Sequence, residues 1–156
     1  MNKELFTDCI FLIFLGVASS LSLPPFNYFI INFLTFTLFF IFLIKKSNNK
    51  KDIRYFFLYG WLFGFGYFAS NLYWISISLT FDQSFKYLIP LTVVIIPACL
   101  GVFYGFITFF FIILKSKTII SSFITFSLIF GIIEFIRGTI LTGFPWNLIA
   151  YSFLNH

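Results

Sequence analysis

Long apolar runs alternate with short polar links along the chain. Five runs stand out, at 9–23, 28–44, 55–79, 87–114 and 118–136. The 17 uncharged residues of 28–44 cover roughly 26 Å at the α-helical rise, just enough to cross a bilayer core. The run at 9–23 is shorter and stops at Pro24-Pro25, which cannot continue a helix. Its alternative is a cleaved signal peptide, but Lys3 is followed by Glu4 and Asp8, and Ala18-Ser19-Ser20 is only a faint cleavage site. Four residues, 24–27, separate the first two runs and force an antiparallel helical hairpin. The third run carries Gly60, Gly64 and Gly66, a small face that admits close approach of another backbone. The fourth repeats the device at Gly101 and Gly105; Pro90 suits a helix start and Pro97 an interior kink. Residues 138–156 are apolar but broken by Gly143 and Pro145, as in a re-entrant or interfacial segment. The pattern predicts an all-α, polytopic membrane protein of about five transmembrane helices plus that C-terminal segment, forming one domain over 1–156.

Composition sharpens this reading. Apolar residues make up 60% of the 156, Phe alone contributes 28, and only 10% are charged, against about 25% in soluble domains. Mean hydropathy is +1.02. A soluble enzyme, a disordered tail and a disulfide-stapled secreted module are excluded. The net charge of +5 points to topology rather than to nucleic acid, because the basic residues lie between the apolar runs. The link 45–54 holds five basic residues against one acid, and Lys115-Ser116-Lys117 is a second basic link. The links at 24–27 and 80–86 are near neutral. Basic short loops stay cytoplasmic, so the N-terminus is expected in the cytoplasm and 138–156 on the outer, periplasmic face of a bacterial inner membrane.

Candidate chemistry is sparse. The single histidine is His156 and the two cysteines, Cys9 and Cys99, lie inside apolar runs, so neither a metal site nor a Ser-His-Asp arrangement is expected. Glu134 and Arg137, three apart on one helix face near the end of the fifth run, read as a structural ion pair; the sharper alternative is a polar anchor for a lipid head group or for an outer domain. Asn71, Tyr73 and Trp74 read as an interfacial belt with one interhelical hydrogen bond, or as the lining of an acyl-chain or head-group pocket. Gly143-Phe144-Pro145-Trp146-Asn147 combines a permissive glycine, a rigid proline and an interfacial tryptophan.

Several segments then fall into a familiar order. Leu23-Pro24-Pro25-Phe26 follows the first run, Gly60-Trp61-Leu62-Phe63-Gly64-Phe65-Gly66 opens the third, and Leu72-Tyr73-Trp74-Ile75-Ser76 comes next. Glu134-Phe135-Ile136-Arg137-Gly138 is followed by Leu141-Thr142-Gly143-Phe144-Pro145-Trp146-Asn147 and by Ala150-Tyr151-Ser152. The series resembles the N-terminal membrane part of the bacterial apolipoprotein N-acyltransferase family, over nearly the whole chain. The resemblance implies an acyltransferase that moves an acyl chain from a membrane phospholipid, through a Cys thioester, to the α-amino group of a diacylglyceryl apolipoprotein, with no cofactor. Its Glu-Lys-Cys triad belongs to a nitrilase-like outer domain that these residues do not include. No catalytic residue is carried onto this chain, which is expected to be an inactive fragment, an incomplete gene product or half of a split protein. Trp74, Phe144, Pro145 and Trp146 are, by resemblance, candidates for the mouth through which lipid enters. The competing reading is a non-enzymatic transporter half or assembly scaffold.

Overall fold

The computed structural model describes residues 3–48, 52–73, 77, 79–140, 148, 149 and 152. Among these the chain is helical throughout: α1 (Lys3–Ser20), α2 (Ile30–Asn48), α3 (Ile53–Asn71), a 3-10 turn (Gln83–Leu88), α4 (Ile89–Leu114) and α5 (Ile119–Ile140).

The helix ends depart from the apolar runs for local reasons. The first helix closes at Ser20, ahead of the prolines, because the N–H groups of Leu21, Ser22 and Leu23 bond three residues back in tight turns. The link then reverses through Asn27, at φ 56°, a left-handed conformation that Asn tolerates better than most residues. The third helix ends at Asn71 rather than at the 79 that hydropathy suggests. Ser70 Oγ donates to the carbonyls of Gly66 and Tyr67, and Asn71 Nδ2 donates to that of Tyr67, so side chains compete for the last turn's acceptors. Pro90 sits in the first turn of α4, and Pro97 lies inside it. The last helix runs past 136 to Ile140, which places Glu134 and Arg137 within its final turns.

The third helix is the centre of the bundle, packed most closely against α4 and α1. Glycine permits both contacts. A Cβ on Gly60 would strike the Tyr104 carbonyl and Thr108 Oγ1 of α4, and one on Gly66 would strike the Ile13 carbonyl of α1. Thr108 Oγ1 donates to the Phe56 carbonyl at 2.6 Å and Trp61 Nε1 to the Ala98 carbonyl at 2.9 Å, tying α3 to α4. The second and fifth helices join through rings instead. Phe39 stacks on Phe63 of α3 at 4.3 Å between centroids, and Phe36 meets Phe130 of α5 edge-on at 4.9 Å.

Helix directions follow from the polar contacts at the two ends. Asp8 meets Lys46, and Ser19 meets Asn32, so α1 and α2 run antiparallel. Lys115 Nζ donates to Ser47 Oγ at 2.6 Å, which brings the link after α4 to the same end as the close of α2. The two basic links therefore share one end of the bundle.

Three helical stretches, Ile30–Asn48, Lys86–Leu114 and Ile119–Ile140, are long and apolar enough to cross a membrane. The other two, α1 and α3, are long but less apolar: Lys3, Glu4 and Asp8 fall in the first, and Arg54 and several Tyr and Gly residues in the second. Ile120, Phe123, Leu128, Ile132 and Phe135 leave one side of α5 apolar and exposed, as suits contact with lipid.

Candidate functional site

The most buried ionic group lies in the last turns of α5. Arg137 Nε and Nη2 donate to the two carboxylate oxygens of Glu134 at 3.0 and 3.1 Å, a two-point fork. The Arg137 side chain is 1% exposed and that of Glu134 12%. The guanidinium also lies over the Phe68 ring of α3, 4.9 Å from its centroid. Burial of this kind is tolerated only because charge, hydrogen bonds and ring face are matched together. The hydroxyl of Tyr104 is buried within electrostatic reach of Glu134.

One oxygen of the carboxylate is shared with a residue farther along the chain. Glu134 Oε2 accepts the backbone N–H of Ile149 at 3.3 Å. Three residues on, Ser152 Oγ donates to the Ile149 carbonyl at 2.7 Å and accepts from Asn32 Nδ2 at 3.0 Å. Asn32 Oδ1 in turn accepts from Ser19 Oγ at 2.8 Å. A continuous polar line thus runs from α1 through α2 to the segment after α5. Ile149 and Ser152 are thereby fastened to α5 and α2.

Nearby, a cavity of about 210 Å³ lies between the α1–α2 link and the end of α3, lined by Ser20, Pro24, Pro25, Phe26, Asn71 and Tyr73 among others. Asn71 and Tyr73 thus share a cavity wall. Trp74, Phe144, Pro145 and Trp146 lie outside the described residues. Cys9 is half-buried, Cys99 is exposed, and both are free thiols. Among the described residues no three His, Cys, Asp or Glu side chains come together as metal ligands would.

A second ionic site, not anticipated from the sequence, occupies the basic end. Lys46 Nζ meets Asp8 Oδ2 at 2.6 Å, and Tyr59 Oη donates to the same oxygen at 3.3 Å. Three helices are joined there. The signal lay in Asp8, an acid just ahead of the first apolar run, and in Lys46, opposite it across the hairpin. Asn32 and Ser152 were likewise legible only as polar residues in apolar surroundings.

An all-helical bundle with glycine-cut helix contacts, an apolar outer surface and buried, fully paired ionic groups defines an integral membrane protein. The family model of the apolipoprotein N-acyltransferase N-terminal domain matches residues 15–156. The chain belongs to that family. Among its relatives, the apolipoprotein N-acyltransferase of Rhizobium leguminosarum bv. trifolii is 38% identical over 146 residues, covering 89% of this chain and 27% of the relative. That of Rhizobium etli is 37% identical over 146 residues with the same coverage. That of Brucella melitensis biotype 1 is 37% identical over 144 residues, covering 88% and 27%. The chain thus spans about a quarter of the length of these relatives.

Proposed function

We propose that this chain forms the N-terminal membrane part of an apolipoprotein N-acyltransferase and works in lipoprotein maturation at the bacterial inner membrane. The whole enzyme would move an acyl chain from a membrane phospholipid to the amino group of a diacylglyceryl apolipoprotein. The described residues of this chain are assigned no catalytic role in that step. Their part is to build the helical frame and to hold the segment after α5 against it. The observation that carries this reading is the fastening of Ile149 and Ser152, which follow the Gly143–Asn147 motif in the sequence, to Glu134 and Asn32. In this reading Trp146, Phe144 and Pro145, together with Trp74, line the outer mouth where the donor lipid enters. A Trp ring there offers a broad apolar face and one N–H donor, matched to the boundary between acyl chain and head group.

The orientation belongs to the same proposal: the basic end is cytoplasmic and the Glu134–Arg137 end periplasmic. The shared end of the two basic links supports it. A transporter half would call for paired broken helices with polar groups at mid-membrane, whereas the ionic groups of the described residues sit toward the two ends.

The test is a chimera in which this chain replaces the matched part of the Rhizobium leguminosarum relative. It is expressed in cells depleted of their own N-acyltransferase, and N-acylation of a reporter lipoprotein is read by mass spectrometry. Restored acylation supports the reading. A chimera that is inserted and folded but never acylates overturns it.

A further inference from the structure

The second and fifth helices touch through their rings and leave a furrow between them. Its volume is about 250 Å³, and it is lined by Phe36 of α2, by Phe123, Phe126, Phe130 and Gly131 of α5, and by Ile149 at one end. The lining is almost wholly apolar. The space beside Gly131 is open, since a Cβ there would meet nothing within 4 Å. From Phe123 to Gly131 the furrow follows α5 for about 12 Å at the helical rise. Ile149, fastened by Glu134, closes the end near the buried ion pair.

The other end has the opposite character. The α2 stripe that carries Phe36 and Phe40 continues to Ser47, which accepts from Lys115. Phe40 meets Phe123 edge-on at 5.4 Å, and Phe123 lies one turn into α5, whose start at Ile119 follows the link that holds this lysine. Lys115 has no carboxylate partner among the described residues, and Lys117, two residues on, is exposed in the same link. A greasy slot that ends beneath two uncompensated ammonium groups is complementary to one kind of molecule, an anionic phospholipid.

We propose that the furrow between α2 and α5 binds one anionic phospholipid, an acyl chain lying along Phe123 to Gly131 and the phosphate held by Lys115 and Lys117. Its phosphate lies at the end of the bundle opposite Glu134–Arg137, and its acyl chain points toward that pair. The lipid is a fixed companion of the fold, distinct from any donor lipid, and the assignment does not depend on acyltransferase activity.

The full chain, purified in mild detergent, is incubated with dioleoylphosphatidylglycerol or dioleoylphosphatidylcholine, and retained lipid is counted by native mass spectrometry. One phosphatidylglycerol should remain bound, favoured about tenfold or more over the zwitterionic lipid with the same chains. Neutralising both lysines (Lys115→Gln with Lys117→Gln) should abolish the preference. Filling the slot with Gly131→Leu should abolish retention of both lipids. Should that variant fail to fold, phosphatidylglycerol bearing a mid-chain diazirine decides the matter on the unaltered protein. Labels concentrated in 123–131 support the site. Equal retention of the two lipids by the unaltered chain, a preference unchanged by the lysine substitutions, or labels spread evenly over the exposed faces of α1, α2 and α5 overturns it.

Discussion

Glu134 Oε2 accepts the backbone N–H of Ile149 and also Arg137 Nη2, while Arg137 Nε holds the other carboxylate oxygen. The pair therefore does two tasks: it neutralises two charges inside the bundle and fastens a segment 15 residues away. Removing the cation leaves a buried carboxylate without its ionic partner. Arg137→Ala should cost about 3–5 kcal/mol and sharply lower the amount of folded protein extracted from membranes. Arg137→Lys should recover part of the loss, because one ammonium cannot reproduce the two-point fork. Thermal melting in detergent, followed by size-exclusion chromatography, gives both values. An Arg137→Ala protein as stable as the parent would show that the pair is not a support.

Glycines of the same chain should respond in opposite directions. Gly60 faces the Tyr104 backbone carbonyl, which cannot swing aside, so Gly60→Ala should force α3 and α4 apart and cost about 1–3 kcal/mol or more. Gly131 has open space, and Gly131→Ala should raise stability by about 0.4–1 kcal/mol through the unfolded chain. The two substitutions are chemically identical, so their comparison isolates packing from helix propensity. Equal shifts in melting temperature would contradict the close α3–α4 contact.

Much of this frame can be read from the sequence, and the exceptions have physical causes. Gly60, Gly64, Gly101 and Gly105 mark the α3–α4 contact by spacing alone, because a missing side chain in an apolar run has few other uses. The close of α3 at Asn71 is invisible to hydropathy, since Ser70 and Asn71 end the helix by taking backbone acceptors while apolar residues continue beyond it. Ser152 becomes meaningful only when folding brings Asn32 to it from 120 positions away. Glu134 and Arg137 were legible because their separation of three sets them on one helix face. The reach of Glu134 to Ile149 was not, because it depends on how the later segment turns back.

The Asp8–Lys46 pair invites a double-substitution cycle. Its side chains are 11% and 15% exposed, so water offers little compensation once one partner is lost. Asp8→Asn should strand the Lys46 ammonium and weaken the join between α1 and α2, and Lys46→Met should strand the carboxylate that Tyr59 also contacts. Combining them removes both charges, so the double variant should lose less than the two single losses added together. Strict additivity in chemical or thermal unfolding would mean that the two groups do not interact in the folded protein.

The last prediction separates the loop's role from the frame's, and it rests on the proposed acyltransferase reading. Glu134 and Asn32 hold Ile149 and Ser152, and none of these contacts involves the Trp146 ring. If Trp146 lines the lipid mouth, replacing it should impair the first half-reaction and little else. In the chimera with the Rhizobium leguminosarum relative, Trp146→Ala should leave the amount of folded, membrane-inserted protein near the parent level. Formation of the acyl thioester from phospholipid should slow by about tenfold or more, as when one large apolar contact of about 1.4 kcal/mol is lost from the reacting complex. Trp146→Phe should restore part of the rate, because it keeps the apolar face and loses only the N–H donor. Arg137→Ala in the same chimera should do the reverse, lowering folded protein while leaving the thioester rate per folded molecule much less affected. Thioester formation is followed by mass shift after mixing with phosphatidylglycerol vesicles, and folded protein is measured separately by size exclusion. A Trp146→Ala chimera that forms thioester at the parent rate would reduce Trp146 to an interfacial anchor, and the mouth would have to be sought elsewhere on the bundle.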